Sequence, residues 1–350
     1  MQSLQTIQIG KREVGRDRPA YIIAEIGSNH DRDLNKALDM IAMAAEAGAD
    51  AVKFQSIQFA ELYSETLETP EFREWFKNIE LDESWYPELA KQARSVGVDF
   101  LSSPTYESAI DRLAEVGVPA YKLASPQVQG NLAVVEKAAR TGKPLILSIG
   151  YCEYGDIARA VNLCREVGNT SLILLHCVSK YPVSPGEANL RFIQTLSNMT
   201  GLLTGYSDHT LGTHMAVAAV ALGACLIEKH VTIDRALEGP DHHFALNFVE
   251  FKSMVDQIRE VESGLGSGTR LTLLPEEMGW REKVQLKAVA RTEISVGERL
   301  SSANVQFLRA SQSGIAIDYQ HLLMQSEARS QIDRGCLITW DLLKFAREDS

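Results

Sequence analysis

DLNKALDMIAMAAEAGADAVKFQ, residues Asp33–Gln55, contains one complete structural unit and decides the fold. Apolar residues recur in its first half at intervals of three and four, which predicts a helix with one buried face. These positions are Leu34, Ala37, Leu38, Ile41 and Ala45. Gly48 follows, where a glycine can adopt the left-handed conformation that ends a helix without a Cβ clash. The apolar run Ala51–Phe54 then predicts a buried strand with a polar residue, Gln55, at its end.

The same unit recurs along the chain, and eight short apolar runs are each followed or closed by polar residues. The runs are Tyr21–Ala24, Ala51–Phe54, Asp99–Leu101, Ala120–Ala124, Leu145–Leu147, Leu172–Leu175, Leu202–Thr204 and Leu226–Ile227. Glycines expected to end the preceding helices are Gly48, Gly97, Gly117, Gly142, Gly168, Gly201 and Gly223. Repeated helix–strand units need parallel strands. Polar residues at only one end of every strand are typical of a (β/α)8 TIM barrel, an α/β fold. An open doubly wound sheet is the alternative, although eight units favour closure.

Composition and charge limit the classes of function. The chain has 350 residues, of which 45% are hydrophobic and 23% charged. The net charge of −11 argues against a general binder of nucleic acid or anionic membranes. A local cluster of lysines can nevertheless bind an anionic substrate. Five cysteines without a C-x-x-C pair, and no apolar leader, predict reduced thiols and a cytoplasmic location.

The domain organisation is predicted from a change of pattern near residue 263. A barrel takes ~250 residues, and we assign residues 1–263 to it. Residues 264–283 form a linker with a glycine–serine stretch and a helical segment at Pro275–Lys283. Residues 284–350 are expected to form a small β-rich domain. Its β-like runs are Lys287–Ile294, Glu298–Leu300, Val305–Leu308 and Cys336–Thr339. Within the barrel, the long aromatic segment Ser56–Asp82 is expected to pack as a lid.

Two histidines are candidates for a metal site. His209 follows the seventh run and His230 follows the eighth. Neighbouring strands lie ~4.8 Å apart, so both imidazoles could bind one divalent ion, with Mn, Fe, Co or Zn as suitable metals. Asp208, Glu228 and Asp241 are candidate auxiliary ligands, and His242 with His243 forms a rival pair. The alternative is that each histidine has a purely structural role.

Two lysines inside apolar runs, Lys53 and Lys122, are costly to bury without a counter-charge. Facing inward, they could bind a carboxylate or phosphate, or one could form a Schiff base. Hydroxyl donors on the same rim are Ser125, Ser148, Ser179 and Ser207. Glu25 could act as a general acid or base, bind sugar hydroxyls, or pair with a rim lysine. Tyr181 could stack on a substrate.

Taken together, the motifs resemble those of the N-acetylneuraminate (sialic acid) synthase family over nearly the whole chain. The resemblance depends on Ile22-Ile-Ala-Glu-Ile-Gly-Ser-Asn-His30, Gly48-Ala-Asp-Ala-Val-Lys-Phe-Gln55, Tyr121-Lys-Leu-Ala-Ser125, Cys177-Val-Ser-Lys-Tyr-Pro182, Gly205-Tyr-Ser-Asp-His-Thr-Leu-Gly212, Glu228-Lys-His230 and Gly239-Pro-Asp-His242. The sequence around Ser179–Tyr181 is most similar to members called spore-coat polysaccharide synthases. The tail, Ala290–Glu298 with Asn304–Arg309, resembles the antifreeze-like (SAF) domain of these enzymes.

The resemblance implies a transferase that condenses phosphoenolpyruvate with an open-chain N-acylated amino sugar such as N-acetylmannosamine. The methylene carbon would attack the aldehyde, water would attack C2, and phosphate would leave, giving a sialic-acid-like nonulosonic acid. The resemblance implies a divalent metal on His209 and His230, with Mn first and Mg, Co or Zn as alternatives. It also implies a domain-swapped homodimer, in which Arg309 caps the sugar in the partner's barrel. The implied phosphoenolpyruvate site is Lys53, Lys122, Ser125, Ser148, Ser179 and Ser207. The implied sugar site is Glu25, Tyr181, Asp241 and Arg309, and the implied catalytic residues are Glu25, Lys53, Gln55 and Gln127.

Several positions depart from the family pattern. The usual Ser-x-Glu reads Ser125-Pro-Gln127, and glutamine cannot act as a general base. Further changes occur at Ser148-Ile-Gly-Tyr151, Glu238, Ala245 and Arg309-Ala-Ser311. They cluster on the acceptor side, so we expect the donor to be retained and the sugar to differ. Two alternatives remain: a Schiff-base aldolase using Lys53 or Lys122, and a barrel that has lost catalysis and binds a glycan or protein partner.

Overall fold

A computed structural model describes residues 6–270 and 272–345, which form two compact units, Met1–Gly266 and Ser267–Ser350. The first unit opens with an antiparallel hairpin of β1 (Thr6–Ile9) and β2 (Arg12–Gly15). Eight parallel strands follow. They are β3 (Tyr21–Gly27), β4 (Ala51–Ser56), β5 (Asp99–Pro104), β6 (Tyr121–Leu123), β7 (Leu145–Ser148), β8 (Leu172–His176), β9 (Leu203–Asp208) and β10 (Leu226–Thr232). A short strand, β11 (Leu246–Asn247), pairs with β10.

The order of the strands confirms the predicted barrel. Neighbours follow the order β5-β4-β3-β10-β9-β8-β7-β6, so the first parallel strand pairs with the last. In that pairing Tyr21 lies opposite Leu226 and Glu25 lies opposite His230. β5 and β6 lie side by side without a hydrogen-bonded ladder among the described strands, which makes the barrel nearly closed. An open doubly wound sheet would not return its last strand to its first.

Helices connect the parallel strands of the barrel along the chain. They are α1 (Leu34–Glu46), α2 (Phe59–Leu62), α3 (Pro70–Lys77), α4 (Tyr86–Val96), α5 (Glu107–Glu115), α6 (Ser125–Gly130), α7 (Leu132–Arg140), α8 (Tyr154–Glu166), α9 (Phe192–Thr200), α10 (His214–Ala221) and α11 (Phe248–Leu265). Single turns of 3-10 helix lie at Glu83–Trp85, Pro185–Glu187 and His242–Phe244.

Helix α1 shows why the opening stretch folds as predicted. Asp33 caps it, because the carboxylate accepts the backbone N–H of Asn35 at 2.8 Å. The buried face consists of Ala37, Met40, Ile41 and Ala44, so it is centred slightly to one side of the predicted stripe. Gly48 has φ of 88°, and all seven glycines expected to end helices have φ between 70° and 98°.

The barrel interior has an apolar layer at the amino ends of the strands. The buried side chains of this layer include Tyr21, Ile23, Ala51, Leu101, Ala120, Ile146, Ile173, Leu203 and Leu226. Ile7, Ile9 and Val14 of the β1–β2 hairpin belong to the same cluster, so the hairpin closes this end. The opposite end, at the carboxyl ends of the strands, is therefore the one that remains for a site.

The segment between β4 and α4 packs through aromatic side chains, as predicted for a lid. Thr69 caps α3 by accepting the backbone N–H of Phe72 at 3.2 Å, and Pro70 begins the helix. Five rings form a cluster with centroid separations of 5.2–6.4 Å for the contacting pairs. The five are Phe59, Tyr63, Phe72, Trp75 and Phe76. We call the segment Ile57–Ile79 the lid.

The second unit contains helices α12 (Pro275–Val284) and α13 (Gln320–Leu323) and two small antiparallel sheets. One sheet pairs β12 (Leu286–Ala290) with β13 (Val305–Arg309), and the other pairs β14 (Ser326–Ala328) with β15 (Leu343–Phe345). Short 3-10 turns lie at Ile317–Tyr319 and Trp340–Leu342.

Two predicted strands of this unit are wrong. Glu298–Leu300 and Cys336–Thr339 make only isolated bridges, in which Arg299 pairs with Glu327 and Leu337 pairs with Val289. The three-residue strands β14 and β15 were too short to predict from alternation. In the part of the chain that the structure describes, no helix is long and apolar enough to cross a membrane.

Candidate active site

A cavity of about 440 Å³ lies at the carboxyl ends of the barrel strands, and every one of the eight strands or the loop after it contributes to its lining. We call this cavity the chamber. Alternation along each strand explains why these side chains point inward. On β10, Leu226 belongs to the apolar layer, and Glu228 and His230 face the chamber. On β4, Ala51 is followed in the same way by Lys53 and Gln55.

Four buried charges form a network in the chamber. Lys53 Nζ lies 2.8 Å from Glu25 Oε2 and 3.7 Å from Glu228 Oε2. Lys122 Nζ lies 3.2 Å from Glu228 Oε1. All four residues are at most 5% exposed. The two positive charges of the ammonium groups equal the two negative charges of the carboxylates. Because each charge has an opposite charge beside it, all four can be buried.

The two carboxylates differ in their proton affinity. Burial opposes ionisation of Glu228, but Lys122 and Lys53 outweigh it and hold its pKa below the ordinary value. Burial raises the pKa of Glu25 to about 7, with Lys53 opposing this and Glu228 adding to it. Glu228 is therefore the permanent anion of the network, and Glu25 can exchange a proton near neutral pH.

The two histidines meet at the edge of the chamber, with ring centroids 5.7 Å apart. His209 Nδ1 lies 2.8 Å from the carbonyl oxygen of Val178, so Nδ1 carries the proton and Nε2 keeps its lone pair. His230 Nδ1 is buried without a hydrogen-bond partner among the described residues and lies 3.7 Å from Asp241 Oδ2.

The electrostatics of this pair fit a divalent cation. Burial lowers the pKa of His209 to about 4, and burial with the neighbouring His209 lowers the pKa of His230 strongly. Neutral imidazole is the form that binds metals. Within residues 6–270 and 272–345, no three His, Cys, Asp or Glu side chains converge closely enough to hold a metal ion. A cation on these two nitrogens would leave its other positions to water or substrate oxygens.

A second cavity of about 340 Å³ adjoins the chamber, and we call it the acceptor pocket. Gln55, Ile57, Tyr181 and His230 line both cavities. Asp241 lines only the acceptor pocket, where its Oδ2 accepts the Ser28 hydroxyl at 3.3 Å. The Tyr181 ring lies 4.2 Å from the His209 ring between centroids. The acceptor pocket thus begins where the two histidines meet.

The structure brings all but one of the predicted site residues to these two cavities. The chamber is lined by Glu25, Lys53, Gln55, Lys122, Ser125, Gln127, Ser148, Ser179, Tyr181, Ser207, His209 and His230, and Asp241 lines the acceptor pocket. Ser148 Oγ and Gln127 Oε1 are buried and have no hydrogen-bond partner within the described ranges. Arg309 lies in the second unit, exposed at the end of β13.

Two sequence-based assignments need correction. Asp208 was predicted as an auxiliary metal ligand, but it faces away from the chamber and pairs with Lys229 at 2.8 Å. It occupies the alternate position between Ser207 and His209, so its side chain points to the opposite face of β9. His242 is buried between Thr232 Oγ1 at 2.7 Å and Asp31 Oδ1 at 2.9 Å. Since His243 lines the acceptor pocket instead, the two do not form a metal pair.

Glu228 was predicted only as an auxiliary metal ligand, and its role as the shared partner of two lysines was missed. Its position two residues before His230 was the available signal, because residues i and i+2 of a strand share a face. The contribution of the lid to the acceptor pocket was also missed, since no local pattern connects residues 57–79 to a strand end.

Buried lysines, hydroxyls and paired imidazoles at the carboxyl end of the barrel are typical of an enzyme site for an anionic substrate. Residues 40–270 match the NeuB family and residues 288–344 match the SAF domain. The chain therefore belongs to the NeuB family, which confirms the predicted resemblance and transferase class.

Three relatives illustrate the match. The N,N'-diacetyllegionaminic acid synthase of Legionella pneumophila is 34% identical over 95% of this chain and 97% of its own. The N-acetylneuraminic acid (sialic acid) synthetase of Leptospira borgpetersenii, solved with citrate, is 36% identical, covers 79% of this chain and 96% of its own, and has a TM-score of 0.73. The solved spore coat polysaccharide biosynthesis protein SpsE of Bacillus subtilis is 35% identical, and the match covers 98% of this chain and 100% of its own. Its TM-score is 0.68.

Proposed function

We propose that this protein condenses phosphoenolpyruvate with an N-acylated amino sugar to give a nonulosonic acid and phosphate. The new bond joins the methylene carbon of the donor to the aldehyde carbon of the sugar. The aldehyde oxygen takes up a proton and becomes a hydroxyl, and water adds to C2 and loses a proton. The C2–O bond to phosphate then breaks as the new C2 hydroxyl gives up its proton and becomes the keto group. The observation that carries the proposal is one chamber that combines two buried lysines, a set of hydroxyls and two neutral imidazoles.

The chamber offers the groups that a tri-anionic donor needs. Lys53 and Lys122 supply two ammonium groups within a water-poor cavity, where electrostatic attraction is stronger than in water. Ser148 Oγ is buried without a partner in the described part of the chain, as expected of a donor that waits for a ligand. Ser125, Ser179 and Ser207 add further hydroxyls to the same wall.

The buried His230 Nδ1, which has no hydrogen-bond partner among the described residues, and the adjacent His209 ring, whose Nε2 has only the Ser207 hydroxyl at 3.4 Å, support a metal site on His209 and His230. When bound, a divalent cation such as Mn supplies Lewis acidity to the aldehyde oxygen. The Val178 carbonyl orients the His209 ring by accepting its Nδ1 proton, a contact that also sets which nitrogen is free. Tyr181 packs on the His209 ring and limits its rotation.

The proton that leaves the attacking water needs an acceptor, and Gln127 cannot be one. Glu25 is the candidate, because a pKa of about 7 matches a group that accepts and returns protons at neutral pH. Gln55 Nε2 donates to Glu25 Oε1 at 2.9 Å and fixes the direction of the carboxyl. Gln127 would then serve as a neutral hydrogen-bonding group on the same wall.

The deciding experiment mixes the enzyme with phosphoenolpyruvate, Mn and a panel of N-acylated hexosamines. We expect phosphate release that needs the sugar, and a product whose mass is that of the sugar plus pyruvate. Chelation with EDTA should stop turnover, and added Mn should restore it. Failure of phosphoenolpyruvate to bind in calorimetry would reject the proposal.

A barrel that has lost catalysis is the second candidate, and Gln127 is the observation that favours it. In that case the wild type would release no phosphate, and Gln127→Glu would gain turnover by restoring a carboxylate. Turnover by the wild type in the same assay removes this candidate.

A Schiff-base aldolase is favoured by a single feature, since burial lowers the pKa of Lys122 and promotes the nucleophilic amine. Borohydride added with substrate would then trap a covalent adduct on the protein. We expect no mass increase, because Glu228 holds the ammonium in an ion pair at 3.2 Å.

The domain-swapped homodimer can be tested by mixing two inactive variants, Arg309→Ala and Lys53→Met. If Arg309 acts in the partner's barrel, each mixed dimer regains one complete site. Random exchange of subunits would then restore about a quarter of the wild-type activity. No recovery after verified subunit exchange would place both residues in the same chain's site.

A further inference from the structure

A buried ion pair lies directly behind the two histidines of the proposed metal site. Asp208 comes immediately before His209, and Lys229 in β10 comes immediately before the second histidine, His230. Asp208 and Lys229 lie opposite each other in the parallel ladder of β9 and β10, and both are at most 1% exposed. Because side chains alternate along a strand, this pair points away from the chamber that the histidines line.

The ladder between the two strands ends at this pair. Lys229 and Asp208 are its last paired residues, although β10 continues to Thr232. Since β9 ends at Asp208, His209 lies just beyond its strand and has no partner on β10 in the described ladder. The distance from the His209 backbone to His230 therefore depends on contacts other than the ladder.

The ion pair supplies such contacts on both sides of His209. Lys229 Nζ donates to Asp208 Oδ2 at 2.8 Å, and the same ammonium group donates to the carbonyl oxygen of Thr210. Asp208 Oδ1 accepts the backbone N–H and the hydroxyl of Thr210, both at 2.8 Å. One side chain of β10 is thus bound both to the residue before His209 and to the residue after it.

The other contacts of this region do not replace that link. The backbone N–H of Val183 donates to the carbonyl oxygen of His209 at 2.9 Å, which joins His209 to the loop after β8 and not to β10. On the chamber side, the Ser207 hydroxyl donates to Glu228 Oε1 at 3.0 Å. That hydrogen bond joins β9 to β10, but it lies before His209 in the chain and does not reach the residue after it.

Stability alone does not explain a buried ion pair at this place. Apolar side chains of similar size in place of such a pair are often as stabilising or more so. They could not, however, form the directional hydrogen bonds that tie Thr210 to β10. A two-nitrogen metal site depends on such ties, because one cation must lie within bonding distance of both imidazoles.

We propose that Lys229 and Asp208 are positioning residues, which hold His209 at the distance from His230 that one divalent cation needs. This inference rests on the metal site of the proposed function. Loss of residues that orient metal ligands typically lowers metal affinity about 10- to 100-fold, and we expect a decrease of this size. The affinity for phosphoenolpyruvate should change little, since Lys53 and Lys122 belong to β4 and β6.

The test uses the double variant Asp208→Leu with Lys229→Met, which leaves neither charge unpaired. Urea denaturation measures its stability, and titration with Mn, with free Mn measured by electron paramagnetic resonance, gives the Kd. We expect near wild-type stability together with a Kd for Mn that is raised about tenfold or more. A folded double variant that binds Mn as tightly as the wild type would overturn the inference.

Steady-state kinetics provide a second measurement that a purely structural defect would not reproduce. In the double variant, the Mn concentration that gives half-maximal phosphate release should rise, and the KM for phosphoenolpyruvate should stay near that of the wild type. Equal increases in both values would indicate a general distortion of the barrel and would count against positioning.

Two further variants complete the test. Arg259→Met is the matched control, because it breaks a partly buried ion pair with Asp50, which lies directly before β4 at the other end of the barrel. It should lower stability and leave the Kd for Mn unchanged. Thr210→Val removes one donor to Asp208 without leaving a buried charge unpaired, and it should raise the Kd by a smaller factor. If the double variant does not fold, an unchanged Kd in Thr210→Val overturns the inference.

The wild type separates failure of this inference from failure of the proposed metal site. If the wild type binds no Mn, the metal site is rejected and the positioning role with it. If the wild type binds Mn and the variants bind it equally well, the metal site stands and only the positioning role is rejected.

Discussion

At the amino ends of the barrel strands the interior is filled by Ile23, Ile146 and Leu226, whereas two residues further along the same strands it holds Glu25, Ser148 and Glu228. The backbone geometry of the two layers is the same. The amino-terminal layer is stabilised by removing apolar surface from water, so it needs no ligand. The carboxyl-terminal layer is stable only while its charges remain paired.

This contrast shows how the barrel separates stability from function. Truncation of an apolar side chain leaves a cavity and lowers stability, but it does not alter the chamber two residues away. Loss of one member of an ion pair leaves the other charge buried and unpaired, which is much more costly than the pair itself is stabilising. We therefore expect substitutions in the two layers to produce different kinds of effect.

The largest expected loss of stability follows Lys229→Met. Lys229 pairs with Asp208 at 2.8 Å on the outer face of the strands that carry His209 and His230, and both partners are at most 1% exposed. The variant should lower the free energy of unfolding by about 3–5 kcal/mol, because Asp208 remains buried without a counter-charge and keeps only the Thr210 N–H and hydroxyl as hydrogen-bond donors. Urea denaturation followed by circular dichroism measures it. The double variant Asp208→Leu with Lys229→Met should recover most of the loss, and a single-variant cost below about 1 kcal/mol would contradict this account.

Lys53→Met should have the largest effect on activity. The substitution removes the ammonium group that contacts Glu25 and Glu228, and with it one contact to the anionic donor. We expect kcat/KM for phosphoenolpyruvate to fall about 10²- to 10³-fold. Lys252→Met is the control, since Lys252 pairs with Asp256 on the surface. The activity of this variant should equal that of the wild type. A decrease smaller than about tenfold would mean that Lys53 has a structural role only.

Glu25→Gln should alter how stability depends on pH. The folded-state pKa of Glu25 is raised from 4.5 to about 7, so between these values the folded protein holds a proton that the unfolded chain has lost. The wild type therefore loses stability as pH rises through this window, by up to about 1.4 kcal/mol per pH unit. The variant cannot ionise there and lacks this contribution. Urea denaturation across the window, in EDTA, should show the curves diverging, and parallel curves would refute the raised pKa.

Ile146→Val should have the smallest effect. Ile146 is fully buried in the amino-terminal layer, and loss of one methylene should lower the free energy of unfolding by about 0.5–1.5 kcal/mol. The KM for phosphoenolpyruvate should equal that of the wild type in steady-state assays. A changed KM would show that the apolar layer and the chamber are coupled after all.

Most of the barrel was predictable because its signals are local. The helical spacing in Asp33–Ala47 and the glycine after it predict one unit, and the repetition of that unit predicts the ring. The small second unit was harder to predict, since strands of three residues such as Ser326–Ala328 contain too few positions for alternation to be recognised. Runs such as Cys336–Thr339 have strand-like composition but lack a continuous neighbour, and pairing is not a local property.

The sequence predicted which residues come together in the site, but it did not predict which of them form pairs. Ser207 and His209 share a face because they are two residues apart, and the same alternation sends Asp208 to the other side. Whether Glu228 would contact a metal, one lysine or two depended on the width of the barrel, which no single strand determines. The position of the lid was harder still to predict, because its helices reach the acceptor pocket through packing of aromatic rings.

The amino-acid sequence by itself determined the eight strand units, the end of the barrel that bears the chemistry, and the lysines, serines and histidines found there. These features follow from periodicity and residue type, which act over a few neighbouring residues. Only the tertiary structure decided that Glu228 contacts two lysines, that Asp208 is a stabilising partner outside the chamber, and that side chains of the lid line the acceptor pocket. Those outcomes depend on distances between segments that are far apart in the chain, and such distances exist only once the ring has formed.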